Sequence, residues 1–194
     1  MVLLVTPQEP EVEAKVRSEV VGGISGTSDQ AATSGYDEAK HMAYTHASLC
    51  DSMRLYPPVP VGSKEAMSDD VLPDGTLVKK GMIVTYHPYA MGRMEEIWGE
   101  DWPEFRPERW LERGSGGEWR FEGKDAHVYP VFQAGPRTCL GKEMAFLQMK
   151  RVVAGVLRRF KVVPAAEEGV EPVYVSHLSA KMEGGFPVRI ELRQ

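Results

Sequence analysis

The stretch FQAGPRTCLGKEMAFLQMK, residues 132–150, decides how this sequence is interpreted. Within it, Cys139 lies between a glycine–proline turn and the start of a predicted long helix. A sulfur at that place is near unpaired backbone N–H groups and the positive end of the helix, and both favour a thiolate. Gly135 and Gly141 leave room for a flat, bulky group beside the sulfur, and Arg137 supplies a cation suited to an anionic ligand. The alternative is a buried structural cysteine, which a lone cysteine at a helix start ordinarily favours.

Composition limits the classes of protein to which the chain can belong. The 194 residues include 23 Lys and Arg against 28 Asp and Glu, a formal net charge of −5, which argues against a nucleic-acid partner. A hydrophobic share of 42% and a charged share of 26% are typical of a globular protein rather than a disordered one. No apolar run approaches the ~20 residues that span a bilayer, so no membrane anchor is expected in this chain.

The cysteine count limits the chemistry further. Only Cys50 and Cys139 are present, so a disulfide framework or a multi-cysteine zinc or iron–sulfur site within this chain is excluded. A redox or metal thiol protein that uses both cysteines has little support, because the sequence contains no C-x-x-C.

Hydrophobic spacing predicts the elements of the first half of the chain. Val12, Val16 and Val20 recur at helical spacing after Pro10, and the glycines from position 22 end this helix. The small, polar residues 22–35 read as a flexible linker. A second helix is predicted over 37–56, where two prolines stop it, and short extended pieces with turn signals follow over 71–88.

The second half begins with an irregular loop over 97–119 that its tryptophans anchor. After Cys139, one apolar stripe of a long helix is predicted, and Lys150 is placed off that stripe with the other polar residues. The C-terminal residues 186–192 alternate as a strand, and the glycines before them predict a hairpin with the extended stretch YVSHLSA. The residues of the predicted stripe are Met149, Val152, Val153, Val156 and Phe160.

Taken together, the motifs resemble those of the cytochrome P450 family. Phe132, Gly135, Arg137, Cys139 and Gly141 form F-x-x-G-x-R-x-C-x-G, which resembles the haem-binding signature of that family. From average residue usage, five fixed positions coincide by accident at a rate on the order of 10⁻⁶ per start site. Two further motifs follow the family's order: SLCDSMRLYPPVP (48–60) resembles its E-x-x-R helix with a proline-rich turn, and PEFRPERW (103–110) resembles its P-E-R-F/W segment.

The resemblance implies a fold as well as a site. It covers essentially all 194 residues, and wording such as IWGEDWPEFRPERW is most similar to the plant fatty-acid ω-hydroxylase branch. The implied fold is mainly α with small antiparallel β-sheets, the C-terminal portion of the cytochrome P450 fold. Residues 1–194 would form part of the catalytic domain, and residues 132–160 would form its haem-binding loop and the following long helix.

Site roles follow from the same resemblance. Cys139 would be the axial thiolate ligand of the haem iron, and its electron donation favours O–O cleavage. Phe132 would pack on the sulfur side of the haem, while Gly135 and Gly141 would admit it. Arg137 would pair with a haem propionate. Lys64 would reach a propionate too, although a solvated lysine is about as well supported.

Asp51, Arg54 and Arg109 would form the buried charge network that the family uses to lock the haem-side core. The family's acid is usually Glu, and Asp is one methylene shorter. Either the backbone compensates for this or the pair with Arg54 loosens. The alternative is an ordinary i, i+3 pair on a helix surface, worth ~0.2–0.5 kcal/mol.

The substrate pocket is less well specified. By resemblance, Val59 and Val61 follow the E-x-x-R-type helix where the chain passes over the haem, and the C-terminal turn with Leu178 and Ala180 reaches the pocket. These residues are small and largely apolar, which suits a chain-like apolar substrate. They also suit the end of a buried strand.

One expected motif is missing from the sequence. The family carries an acid next to a threonine in a G-x-[DE]-T context, where the pair manages proton delivery to bound oxygen, and no such motif occurs here. The chain is therefore expected to be a C-terminal piece of a longer protein. The resemblance implies a haem-thiolate monooxygenase with NADPH–cytochrome P450 reductase, O₂ and an apolar, fatty-acid-like small molecule as partners, located at the endoplasmic reticulum membrane in its full-length form. The alternative is a truncated, non-catalytic remnant.

Overall fold

The computed structural model describes residues 9–22, 39, 41–165, 173–176 and 179–193. The linker expected at 22–35 lies outside these residues from position 23 onward, and so does Leu178. Among the described residues there are five α-helices, three short 3₁₀ helices and ten strands. The small antiparallel sheets agree with the expected fold class. The expectation of a mainly α chain is met only in part, because strands also take up a large share of the residues.

The helices are α1 (Pro10–Gly22), α2 (Ala43–Leu55), α3 (Pro88–Met91), α4 (Glu95–Trp98) and α5 (Lys142–Arg159). The 3₁₀ helices are Pro107–Trp110, Pro130–Phe132 and Gly135–Arg137. The strands are β1 (Gly62–Glu65), β2 (Asp70–Val71), β3 (Leu77–Val78), β4 (Ile83–Tyr86), β5 (Leu111–Arg113), β6 (Trp119–Phe121), β7 (Phe160–Pro164), β8 (Tyr174–Ser176), β9 (Ala180–Met182) and β10 (Val188–Leu192).

Helix α1 forms where the sequence predicted it. Pro10 needs no N–H partner in the first turn, and acids at positions 11 and 13 complement the positive helix end. Val12, Val16 and Val20 are buried on one face, as their spacing predicted. This face packs against both α2 and α5.

Helix α2 is buried on nearly all sides and forms the centre of the fold. No side chain of its own caps its N-terminus. Instead, the Glu19 carboxylate of α1 accepts hydrogen bonds from the backbone N–H groups of Tyr44 and Thr45, both at 2.8 Å. A neighbouring helix thus satisfies the donors that a helix start leaves unpaired. The core around α2 gathers apolar residues of α1, α5 and the tryptophan-rich loop: Val16, Val20, Ala47, Leu49, Met53, Trp98, Trp110, Phe146, Val153 and Leu157.

The buried face of α5 differs from the predicted stripe. Val153 is buried as predicted, but Val152 is 58% exposed, and Phe146, Ala154 and Leu157 complete the buried face instead. Lys150, which was placed on the polar side, is also buried. Its ammonium donates to the Ala39 carbonyl at 2.9 Å, which explains how a lysine occupies a core position.

All strands of the described residues pair as two-stranded antiparallel sheets: β1 with β4, β2 with β3, β5 with β6, β7 with β10, and β8 with β9. The predicted pairing of the last strand was wrong. β10 pairs with β7, which continues directly from the end of α5, and β8 pairs with β9. The FKVVP run of β7 had not been recognised as a strand, so the nearest extended stretch was assigned as the partner.

Candidate functional site

The Asp51 carboxylate is the focus of a buried group of charges, here called the arginine–aspartate cluster (Asp51, Arg54 and Arg109). Arg54 donates to the carboxylate through Nε at 2.7 Å and Nη2 at 3.2 Å. Arg109 Nε lies 3.2 Å from Asp51 Oδ1, an ion pair whose geometry does not make a hydrogen bond. Both side chains of the Asp51–Arg54 pair are 0% exposed, so this is not a pair on a helix surface.

The remaining N–H groups of Arg54 bind the backbone of the loop that follows α3. Nη1 donates to the carbonyls of Gly92 at 2.8 Å and Trp102 at 2.7 Å, and Nη2 donates to that of Glu104 at 2.8 Å. The approach is close enough to require a glycine, because a Cβ on residue 92 would lie 2.1 Å from the Arg54 carbonyl oxygen. One guanidinium therefore binds three carbonyl groups of this loop.

The Asp51 carboxylate accepts further hydrogen bonds from residues 106–110, here called the PERW segment. The backbone N–H of Arg106 donates at 2.7 Å and the Trp110 indole N–H at 2.9 Å. The sequence left open whether a shorter acid would loosen the pair. In the structure the carboxylate at Asp length reaches Arg54, the PERW backbone and the indole together, so the pair is not loosened.

The second region is the cysteine loop, residues 132–141. Its shape is fixed by its own backbone: Cys139 N–H donates to the Phe132 carbonyl at 2.8 Å, and Thr138 N–H to the Gly135 carbonyl at 3.0 Å. The Cys139 carbonyl accepts from Lys142 N–H at 3.3 Å, which joins the loop to the start of α5. The Cys139 side chain is exposed, unlike that of Cys50, which is buried. The structure therefore contradicts the alternative of a buried structural cysteine at position 139.

Space beside the sulfur is open in the described part of the chain. A Cβ added at Gly135 would meet no atom within 4 Å, and one at Gly141 would meet only the Cys139 Sγ, at 3.9 Å. Gly135 has a φ of +66°, which side chains rarely adopt. Leu140, beside the cysteine, is fully exposed. A thiol with glycines on both sides and an open approach fits a flat macrocycle such as haem.

Two cations belong to the same loop region. Arg137 is exposed and has no hydrogen bond or ion pair with any residue that the structure describes. Lys64 of β1 donates from Nζ to the side-chain oxygen of Gln133 at 2.5 Å. The structure therefore brings Lys64 to the cysteine loop. Sequence reasoning missed Gln133, since no spacing relates it to a residue 69 positions earlier.

Phe132 connects the cysteine loop to the core. Its ring is half-buried, with its centroid 5.2 Å from that of Phe146, which in turn stacks on His46 at 4.1 Å. Burial, together with the positive charges of Lys150 and Lys142, lowers the pKa of His46 from 6.5 to about 3. His46 is therefore a neutral ring within an aromatic stack.

The candidate pocket residues are only partly brought together. The Ala180 N–H donates to the Pro58 carbonyl at 2.7 Å, which joins β9 to the proline-rich turn after α2. Val59 and Val61 of that turn region are exposed among the described residues.

Of the helices that the structure describes, none is both long and apolar enough to span a membrane.

Comparison with known proteins agrees with the motifs. The profile of the family "Cytochrome P450" matches residues 1–186. The chain is 66% identical over 178 residues to cytochrome P450 94A2 of Vicia sativa, an alignment that covers 92% of this chain and 34% of that protein. It is 48% identical over 190 residues to cytochrome P450 94B1 of Arabidopsis thaliana, which covers 96% of this chain and 36% of that one.

The chain thus spans about a third of the length of these relatives. A shorter relative, named cytochrome P450 of Helianthus annuus, is 49% identical over 156 residues, which is 80% of this chain and 96% of that protein. Because the family profile matches nearly the whole chain, and in line with the exposed cysteine between two glycines, this chain belongs to the cytochrome P450 family.

Proposed function

We propose that this chain supplies the haem-binding part of a haem-thiolate monooxygenase. The enzyme inserts one oxygen atom into an apolar, fatty-acid-like substrate and takes electrons from NADPH–cytochrome P450 reductase. The observation that carries the proposal is the exposed thiol of Cys139 on a loop that its own backbone hydrogen bonds hold open.

Each residue of the cysteine loop has a role in holding the group. Cys139 provides the axial sulfur, and Gly135 and Gly141 keep the approach free of side chains. Arg137 and Lys64 provide positive charge for the propionate carboxylates. A thiolate-ligated haem bound there supplies the activation of O₂.

The arginine–aspartate cluster contributes by position rather than by contact with the reacting atoms. It fixes α2 against the PERW segment, and the α2 residue His46 stacks on Phe146, against which Phe132 packs. A rigid support of this kind keeps the loop in one geometry, which a prosthetic-group site requires.

The substrate and the cellular location rest on similarity. The resemblance of the sequence to the plant fatty-acid ω-hydroxylase branch supports a fatty-acid-like substrate. The small, apolar residues Val59, Val61 and Ala180 at the proline-rich turn are compatible with it. We place the full-length protein at the endoplasmic reticulum membrane, as its family resemblance implies.

The reduced carbon-monoxide difference spectrum of the expressed chain, supplied with haem, tests the proposal. We expect a red-shifted Soret band that is lost in Cys139→Ser and kept in Cys50→Ser, which is the matched control because Cys50 is buried in α2 and is not part of the cysteine loop. Absence of haem uptake by the unsubstituted chain would contradict the proposal and favour the second candidate, a non-catalytic remnant.

A further inference from the structure

Gln133 has a backbone conformation that glutamine rarely adopts. Its φ of 63° and ψ of 177° fall in a region populated almost only by glycine. Among the described residues it alone combines a side chain with a positive φ. A glycine would fit this position without strain, so the backbone alone does not explain a glutamine there.

The side chain of Gln133 accepts a hydrogen bond that a glycine could not accept. Its amide oxygen accepts the hydrogen bond from Lys64 Nζ at 2.5 Å, and this contact ties β1 to the cysteine loop. β1 is itself held in place, because Lys64 pairs with Val84 in the antiparallel ladder with β4. The backbone of Lys64 is thus held by the β1–β4 pairing, and its ammonium is held by Gln133.

The chemical type of the acceptor matters as well. A carboxylate at position 133 would neutralise Lys64, whereas an amide orients the ammonium and leaves its full charge available to an anion. The Lys64 ammonium has no further hydrogen bond with the described residues, and the Arg137 side chain of the cysteine loop has none at all. Lys64 and Arg137 therefore bring two cations to the cysteine loop, and no carboxylate of the described residues neutralises either one.

We propose that Gln133 is a positioning residue that holds Lys64 at the cysteine loop, so that Lys64 and Arg137 together receive the two carboxylates of the haem edge. This inference rests on the proposed function, since it needs haem as the ligand. It assigns Gln133 no contact with the iron or with substrate.

The test measures how fast haem leaves the loaded, full chain for an excess of apomyoglobin. We expect Gln133→Leu and Lys64→Met each to accelerate the loss roughly three- to tenfold, as for removal of one charge-assisted hydrogen bond near solvent. The double variant should lose haem no faster than the faster single variant. With haem dimethyl ester, which lacks the carboxylates, the same substitutions should leave the rate unchanged.

Gln133→Gly separates positioning from a structural role. Because glycine relieves the positive φ, the haem-free variant should melt at the same temperature as the unsubstituted chain or higher, yet lose haem as fast as Gln133→Leu. If the role of Gln133 were only structural, Gln133→Gly, which is expected to be at least as stable, would retain haem as long as the unsubstituted chain does.

Three results would overturn the inference. Haem loss that is unchanged in Gln133→Leu would remove Gln133 from haem retention. Equal acceleration for haem and its dimethyl ester would show that Gln133 acts on the loop and not through the carboxylates. If the unsubstituted chain takes up no haem, the proposed function fails and the inference fails with it, whereas normal uptake with an indifferent Gln133 removes the inference alone.

Discussion

The arginine–aspartate cluster and the cysteine loop both contain charged residues, but they differ in burial and in the number of partners that these residues have. In the cluster, the charges of Asp51 and Arg54 are fully buried and each is matched by several partners. In the cysteine loop, Arg137 and the Cys139 thiol are exposed and project no hydrogen bond to the described residues. The charges of the first region are thus paired, while in the second the backbone is held by hydrogen bonds and the Arg137 and Cys139 side chains have no described partner.

This difference separates stability from binding within one chain. Buried charges stabilise a fold only when all their partners are present, so removing one partner is costly. Exposed, unpaired side chains contribute little to stability and remain available to a ligand. Substitutions in the two regions should therefore affect different measurements.

The largest effect is expected for Asp51→Asn. The substitution keeps the size of the side chain but leaves the Arg54 guanidinium buried without a counter-charge, and it leaves Arg109 with Asp101 alone. We expect the free energy of unfolding to fall by about 3–5 kcal/mol, measured by urea denaturation. The matched control is Asp69→Asn, which breaks an exposed pair with Lys79 and should change stability little. Equal effects of the two variants would mean that burial of the cluster does not determine its energy.

A smaller effect is expected when each cysteine is replaced by serine. Cys50 is buried, and its burial raises the pKa of its thiol to about 12. Cys50→Ser places a hydroxyl in that apolar site and should cost about 1–3 kcal/mol. Cys139→Ser should leave the stability of the haem-free chain unchanged.

The reactivity of the two thiols in the folded chain sharpens the same contrast. A thiol reagent should modify Cys139 at once and Cys50 only upon unfolding. Modification of both at one rate would contradict the burial of Cys50.

The smallest effect is a pH dependence that arises between the two regions, at His46. Because the folded chain holds the pKa of His46 at about 3 while the unfolded chain binds a proton near 6.5, the unfolded state gains protons first as the pH falls. The contribution of His46 is fully present above pH 6.5 and is lost progressively below it. We expect a slope of up to ~1.4 kcal/mol per pH unit between pH 6.5 and 5.

The control for this slope is a histidine outside the aromatic stack. His46→Gln should remove the slope, whereas His127→Gln, at an exposed position, should preserve it. A slope that persists in His46→Gln would assign the pH dependence to other groups.

Local patterns predicted much of this architecture. The valine spacing of α1 and the turn signals between β2 and β4 identified elements that the structure contains. The motif spacing also named Asp51, Arg54 and Arg109, which the structure brings into one cluster. These features were accessible because each is encoded within a few neighbouring residues or in a strict motif.

The features that could not be predicted depend on distant partners. Lys150 faces the core because a carbonyl 111 residues away accepts its hydrogen bond, and no helical periodicity contains that information. The pairing of β10 with β7 depends on where α5 ends in space. Likewise, the contact between Gln133 and Lys64 joins residues 69 positions apart, and a glutamine in a sequence does not indicate a positive φ.

The three carbonyls that Arg54 binds have a consequence for the order of folding. They lie 38, 48 and 50 residues along the chain from the arginine, so the loop from Gly92 to Glu104 obtains these partners only through long-range closure. Such closures cost chain entropy before they contribute any binding energy, and they slow folding. We therefore expect the segment from Gly92 to Glu104 to become ordered late in folding, once α2 has formed and presents the Arg54 guanidinium.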